Sequence, residues 1–207
     1  MLNFREMTLS DKPAMDRLFC KLQSELSDYT FTNFYMWRHT YGLKVAYDES
    51  LDCWFFLAQP KRWKSFFFAP VGDWSDGQKL NEAIRKMFEY CESHQLQFFC
   101  RRVPEWFVAR AKAMDSRIRS REDRNTFDYV YNTTDLIDLA GRKFHNKRNH
   151  LNQFLRNYTW EYQPMDEGVV KECLHLETDW FNLHTDEKGA KISGEIRAMQ
   201  EVMHNFT

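Results

Sequence analysis

Glycine and proline are scarce, at 7 and 5 of 207 residues, which excludes collagen-like and low-complexity architectures. Neither sign of charge dominates, since 29 Lys and Arg face 30 Asp and Glu for a formal net charge of −1. A wholesale polyanion binder and an acidic disordered tail are therefore excluded. The cysteines at 20, 53, 91, 100 and 173 are odd in number and include no CxxC pair, a pattern that suits buried thiols in a reducing compartment rather than a disulfide framework or a zinc site. No apolar run approaches the ~18 residues of a membrane span, and Arg5, Glu6, Asp11 and Lys12 stand where a signal peptide needs an apolar segment. The expectation is a soluble, cytoplasmic protein of one large domain or two small ones.

What the chain does have is apolar surface: 43% hydrophobic and 16% aromatic residues, ample for a packed core. Residues 3–7 alternate as a short strand, and Pro13 opens a helix whose apolar face is Met15, Leu18, Phe19 and Leu22. A second helix over residues 31–41 is expected to stop at Gly42. Strands at 43–47, 53–58 and 65–69 follow with only turns between them, so an antiparallel meander is the simplest pairing. A helix at 79–91, a strand at 96–101, a helix at 104–114 and a strand at 126–131 complete the order βααβββαβαβ.

That α/β (α+β) order, a mixed sheet flanked by helices, resembles the GNAT acyl-CoA N-acyltransferase fold. Residues 160–207 then resemble the start of the same unit again. Laying Trp160 over Phe4 and Glu167 over Asp11 keeps one constant offset, with an aromatic-led strand, an apolar residue and an acidic helix opener in step. The other reading is two unrelated strand-helix starts. A helix through Val169, Val170, Cys173, Leu174 and Leu176 and another over residues 192–206 would follow. The expected organisation is a first GNAT-like domain at 1–138, a basic connecting helix at 139–158, and a second, incomplete copy at 159–207.

The connecting segment carries the chemistry. From Leu139 through Trp160 there is no acidic residue, while Arg142, Lys143, Lys147, Arg148 and Arg156 are cationic and His145 and His150 can become so. Phe144, Leu151 and Leu155 fall on one helical face, with Lys143, Lys147 and His150 along its edge. Residues 97–156 hold 13 Lys and Arg against 7 Asp and Glu, leaving +6 there and −7 elsewhere.

The run Gly141-Arg-Lys, then Lys147-Arg-Asn-His-Leu-Asn152, preceded by Tyr129-Val-Tyr131 and Asp135-Leu, resembles the lysylphosphatidylglycerol synthetase C-terminal domain family of bacteria. The resemblance implies a tandem GNAT-like fold and transfer of an aminoacyl group from aminoacyl-tRNA to a lipid head group or another amine or hydroxyl acceptor. Two readings stay open: an acyl- or aminoacyltransferase, or a non-catalytic module that holds a phosphorylated ligand on a degenerate GNAT fold. Lys143, Lys147, Arg148 and His150 are the expected phosphate ligands, on a tRNA acceptor arm or an anionic lipid at the membrane periphery. A solvated linker helix is the plainer alternative.

No catalytic residue and no metal site is assigned. None of the seven glycines fits the Gln/Arg-x-x-Gly-x-Gly/Ala turn that cradles a coenzyme pyrophosphate, and Asp73 and Asp76 occupy its expected place in the first copy. No cofactor is therefore evident, although the acyl donor could be aminoacyl-tRNA or acyl-CoA. HExxH, GxSxG, Walker A and GxGxxG are absent from the sequence. Glu172/His175 and Glu201/His204 have the Glu-x-x-His spacing of di-iron bundles, but no four-helix pattern accompanies them. Arg117, Arg119, Arg121 and Arg124 alternate as a second basic patch, diluted by Asp115, Glu122 and Asp123.

Overall fold

The computed structural model describes residues 1–205, and the side chains of residues 1–183 and 194–205. The architecture is α+β, with an open antiparallel sheet flanked by helices. Strands β1 (Arg5–Glu6), β2 (Leu43–Asp48), β3 (Cys53–Ala58) and β4 (Phe66–Phe67) lie side by side in that order, and β5 (Val71–Gly72) also pairs with β3. Consequently β4 and β5 are one broken edge strand. Leu57 and Ala58 face Phe67 and Phe66, whereas Cys53 and Trp54 face Gly72 and Val71. Between them Pro70 has no N–H to give the ladder, and the Ala69 amide turns instead to the Tyr29 hydroxyl at 2.9 Å.

Helices α1 (Lys12–Leu22) and α2 (Phe31–Tyr41) occupy the connection between β1 and β2. Pro13 sits in the first turn of α1, whose Met15 and Leu18 are fully buried with Phe19 and Leu22 packed partly against the core. Thr30 caps α2 by accepting the Asn33 amide at 3.1 Å. Gly42 ends it at φ +55°, and a Cβ there would lie 2.5 Å from the Gln59 carbonyl oxygen, so only glycine fits. The core between these helices and the sheet is aromatic. Phe34 stacks on Phe56 with centroids 4.2 Å apart and meets Phe68 edge-on at 4.8 Å. Helix α3 (Gly77–Ser93) buries Leu80, Ala83, Ile84, Met87, Tyr90 and Cys91, a 3.6-residue stripe, and α4 (Glu105–Met114) buries Phe107 and Ala111.

Two expected strands do not form. At residues 96–101 the chain makes a single parallel bridge, Phe67 with Cys100, because it is pinched between Gln95 at φ +54° and Arg102 at φ +51° and the Leu96 amide is already held by the Cys91 carbonyl at 2.8 Å. The named strands pair only antiparallel, so the sheet is not the mixed one expected. At 126–131, a 3-10 turn over Arg124–Thr126 runs into irregular chain in which Tyr129 and Val130 are both exposed; the alternation had no sheet face to cover.

The chain divides into two compact units, Met1–Thr126 with Phe181–Thr207, and Phe127–Trp180. Their limits differ from the boundaries at 138 and 158 read from the sequence. The second unit contains α5 (Thr133–Asp138), a 3-10 turn (Arg142–Phe144), α6 (His145–Asn157) and the first part of α7 (Glu167–His204). Residues 158–166, where a second copy would place its first strand, are irregular, and one long helix stands where two were expected; residue 206 of the second lies outside the described residues.

Candidate functional site

The basic segment folds as a helix-turn-helix. Helix α5 ends at Leu139 with φ +45°, Gly141 follows at φ +81°, and the 3-10 turn buries Phe144 before α6 begins. The reversal leaves the carbonyls of Leu139 and Gly141 without helical partners, and the Arg148 guanidinium donates to both, to Gly141 at 2.8 Å. Arg148 is thereby a clamp on its own backbone.

The remaining predicted residues are displayed differently. Lys143 donates to Asp135 at 2.9 Å and lies 4.8 Å from the centroid of the Phe144 ring, with its side chain 66% exposed. Lys147 is exposed with its ammonium 5.8 Å over the Tyr131 ring, and His150 is exposed one turn further on. Lys147, His150 and Phe154 share one helical face at i, i+3 and i+7, and Arg148 lies about 100° around from it. The structure thus brings Lys147 and His150 together, sets Lys143 at the turn that leads into them, and assigns Arg148 elsewhere. Tyr131 joins them from irregular chain, where alternation along the sequence predicts a strand.

Asp135 offsets Lys143 at one end of this face, and the charge of Lys147 stands at the other. No side chain caps α6 at its N-terminus, no acidic residue lies in its first turn, and the positive end of the helix dipole adds to Lys147. An anion is favoured there. On another side of α6 an open groove of about 450 Å³ runs past Asn149, Asn152, Leu155 and Arg156. Of the expected apolar face only Phe144 is buried, while Leu151 and Leu155 are 45% and 46% exposed.

Several titratable groups elsewhere serve structure. Glu201 accepts from Arg38 at 2.8 Å and lies 3.4 Å from His39, so the Glu201/His204 pair does not stand free. Burial, together with Arg38 and Arg197, holds the His39 imidazole below its ordinary value. The five cysteines are unpaired, and burial pushes the Cys91 thiol up to about 11 and Cys53 higher, the wrong direction for a nucleophile. Arg117 pairs with Asp115 at 2.8 Å, which blunts the second basic patch. Asp76 accepts the Gln78 amide at the start of α3, and Asp73 accepts the Ser75 amide just before it.

Residues 19–201 match the family described as phosphatidylglycerol lysyltransferase, C-terminal. No curated protein matches the chain. A crystal structure of a conserved protein of unknown function from Bacteroides thetaiotaomicron VPI-5482 is similar with a TM-score of 0.84 and 29% identity, covering 100% of this chain and 68% of that one.

Proposed function

The chain belongs to the phosphatidylglycerol lysyltransferase C-terminal family, and from that premise we propose that it takes part in aminoacyl transfer to a phosphate-bearing acceptor, with the exposed face of α6 as its anion-binding surface. The observation that carries this reading is the grouping of Lys147 and His150, both exposed, beside the Lys143–Asp135 pair, at a helix start with no side-chain cap and no acidic residue in its first turn. A lysyl-tRNA donor and an anionic lipid acceptor both present phosphates to such a surface. In the reaction a lipid hydroxyl attacks the lysyl ester carbonyl, the acyl bond to the tRNA ribose breaks, and the hydroxyl proton ends on the ribose oxygen.

A GNAT-like ancestry is part of the proposal. It is supported by two helices between the first two antiparallel strands and by the parallel approach of Cys100 to Phe67 after a crossover through α3. Residues 159–207 would descend from a second such unit. An aminoacyl-tRNA donor is favoured over acyl-CoA because Asp73 and Asp76 crowd the start of α3, where a pyrophosphate would need free amides. Among the described residues no helix is long and apolar enough to cross a membrane.

The test is charge reversal of the face itself. The triple variant Lys143→Glu, Lys147→Glu, His150→Glu should lose retention on lysyl-tRNA and bind vesicles containing phosphatidylglycerol more weakly, with an unchanged circular dichroism spectrum. Undiminished binding of both would end this assignment. Binding by the parent without any lysyl transfer would leave the non-catalytic phosphate-binding module.

A further inference from the structure

A different surface, in the first compact unit, carries an independent feature. The connection from β3 to β4 contains Lys61, Arg62, Trp63 and Lys64, and residues 53–72 include no acidic side chain. All four of these residues are exposed. Trp63 is 70% exposed, although an indole of that size would ordinarily be covered. Its position is nonetheless fixed. The Trp63 amide closes a turn by donating to the Pro60 carbonyl at 3.3 Å, and the Arg101 guanidinium lies 5.5 Å from the centroid of its ring. Arg101 is held in turn by Asp123 at 3.3 Å. Among the described residues Lys61 and Arg62 form no ion pair, and the Lys64 ammonium reaches only the neutral Gln97, at 3.4 Å.

An exposed indole with an arginine beside its ring, flanked by three cations that form no ion pair among the described residues, matches the chemistry of a bilayer interface. Tryptophan settles at the head-group level, where its ring is amphipathic, and lysine and arginine gain from the negative surface of anionic lipids. We propose that this loop is a peripheral anchor that sets the first unit on an anionic lipid bilayer, Trp63 entering the head-group layer and Lys61, Arg62 and Lys64 facing lipid phosphates. The loop is a short turn with a single exposed indole, which offers no platform for successive stacked bases and so favours a lipid surface over a nucleic acid. The choice of an anionic lipid rests on the transferase reading above, whose family acceptor is phosphatidylglycerol.

Co-sedimentation of the full chain with phosphatidylcholine vesicles, with and without phosphatidylglycerol, tests the anchor. The parent should bind only the anionic vesicles. Trp63→Ala should weaken that binding measurably, because the ring that settles at the head-group level is lost. Joint replacement of Lys61, Arg62 and Lys64 by Glu should weaken it by on the order of 100-fold or more, about fivefold per cation removed. Both variants should keep the parent's circular dichroism spectrum and thermal midpoint. Parental affinity in either variant overturns the anchor, as does a loss confined to tRNA retention. Failure of the two assignments is distinguishable, because vesicle binding that depends on the loop without any lysyl transfer removes the transferase and leaves the anchor. Transfer to a soluble lipid analogue by a chain that ignores vesicles removes the anchor and leaves the transferase.

Discussion

Arg38 donates to Glu201 at 2.8 Å, joining α2 to the last turns of α7 across 163 residues of sequence. The same guanidinium stacks 3.6 Å from the centroid of the Tyr35 ring and donates to the Tyr35 carbonyl at 2.8 Å. Its side chain is only 11% exposed and that of Glu201 22%, so the pair is shielded from water more than a surface bridge is. Arg38→Ala should therefore cost about 2 kcal/mol, through lost stacking as well as lost charge. In a double-mutant cycle with Glu201→Gln the coupling should be about 1 kcal/mol, read from urea midpoints; a coupling near zero would show the pair to be incidental.

Tyr29 ties the broken edge of the sheet to the chain beyond it. Its buried hydroxyl accepts from the Ala69 amide at 2.9 Å and donates to the Arg102 carbonyl at 3.1 Å. Desolvation drives the phenol's ionisation far above its ordinary range, so it remains a neutral donor. Tyr29→Phe keeps the ring and removes both bonds. The expected loss is about 1–3 kcal/mol, the penalty for buried groups left unsatisfied, with an unchanged denaturant slope.

Acid sensitivity should centre in part on Asp11. Burial opposes its ionisation, but the Arg5 guanidinium, bonded at 2.5 and 2.9 Å, and the Thr8 amide at 2.8 Å outweigh that and hold the carboxyl below 3.8. A depressed folded-state value gives stability that is fully present above the unfolded value and is lost as pH falls through the folded one. Asp11→Asn should accordingly be less stable than the parent at neutral pH and lose less stability below pH 3.8. Parallel acid limbs in the two proteins would contradict the assignment.

Arg148 and Lys147 are adjacent in sequence and should behave oppositely. Arg148→Ala removes the donor to the Leu139 and Gly141 carbonyls, so about 1–2 kcal/mol of stability should go with it. Lys147→Ala should leave the melting curve in place and reduce the salt dependence of tRNA binding by about one unit of slope. Equal thermal effects in the two variants would refute the division of labour.

Gly42→Ala meets both a backbone at φ +55° and the Gln59 carbonyl oxygen at 2.5 Å from the new Cβ. A loss of about 2 kcal/mol or more is expected in a denaturant titration, against a gain where Gly→Ala meets no strain.

Residues 31–41 followed by Gly42 were legible as a helix and its stop because the capping chemistry is local, and the structure places the helix at those bounds. The hairpin of β2 and β3 was legible for the same reason, its turn residues being contiguous with two apolar runs. Residues 96–101 and 126–131 were not. Alternation along a segment reports two faces, but whether a sheet edge waits to receive it depends on residues far away in sequence, such as Phe67 for Cys100. The cations of α6 were visible in the composition, whereas the diversion of Arg148 to its own backbone was not, since spacing says nothing about which carbonyls a preceding turn leaves unpaired.

The local terms were legible along the chain: caps, turn residues, the stripe of α3, the basic segment and the family motif around Gly141 and Lys147. Folding settles which charges are paired and which are displayed. Arg38, Arg101 and Arg148 are occupied by partners brought to them by folding, while Lys147, Lys61 and Arg62 face outward. The reason is geometric: side-chain type fixes what a group can bind, but a hydrogen bond requires its partner within about 3 Å, and only the folded chain sets that distance.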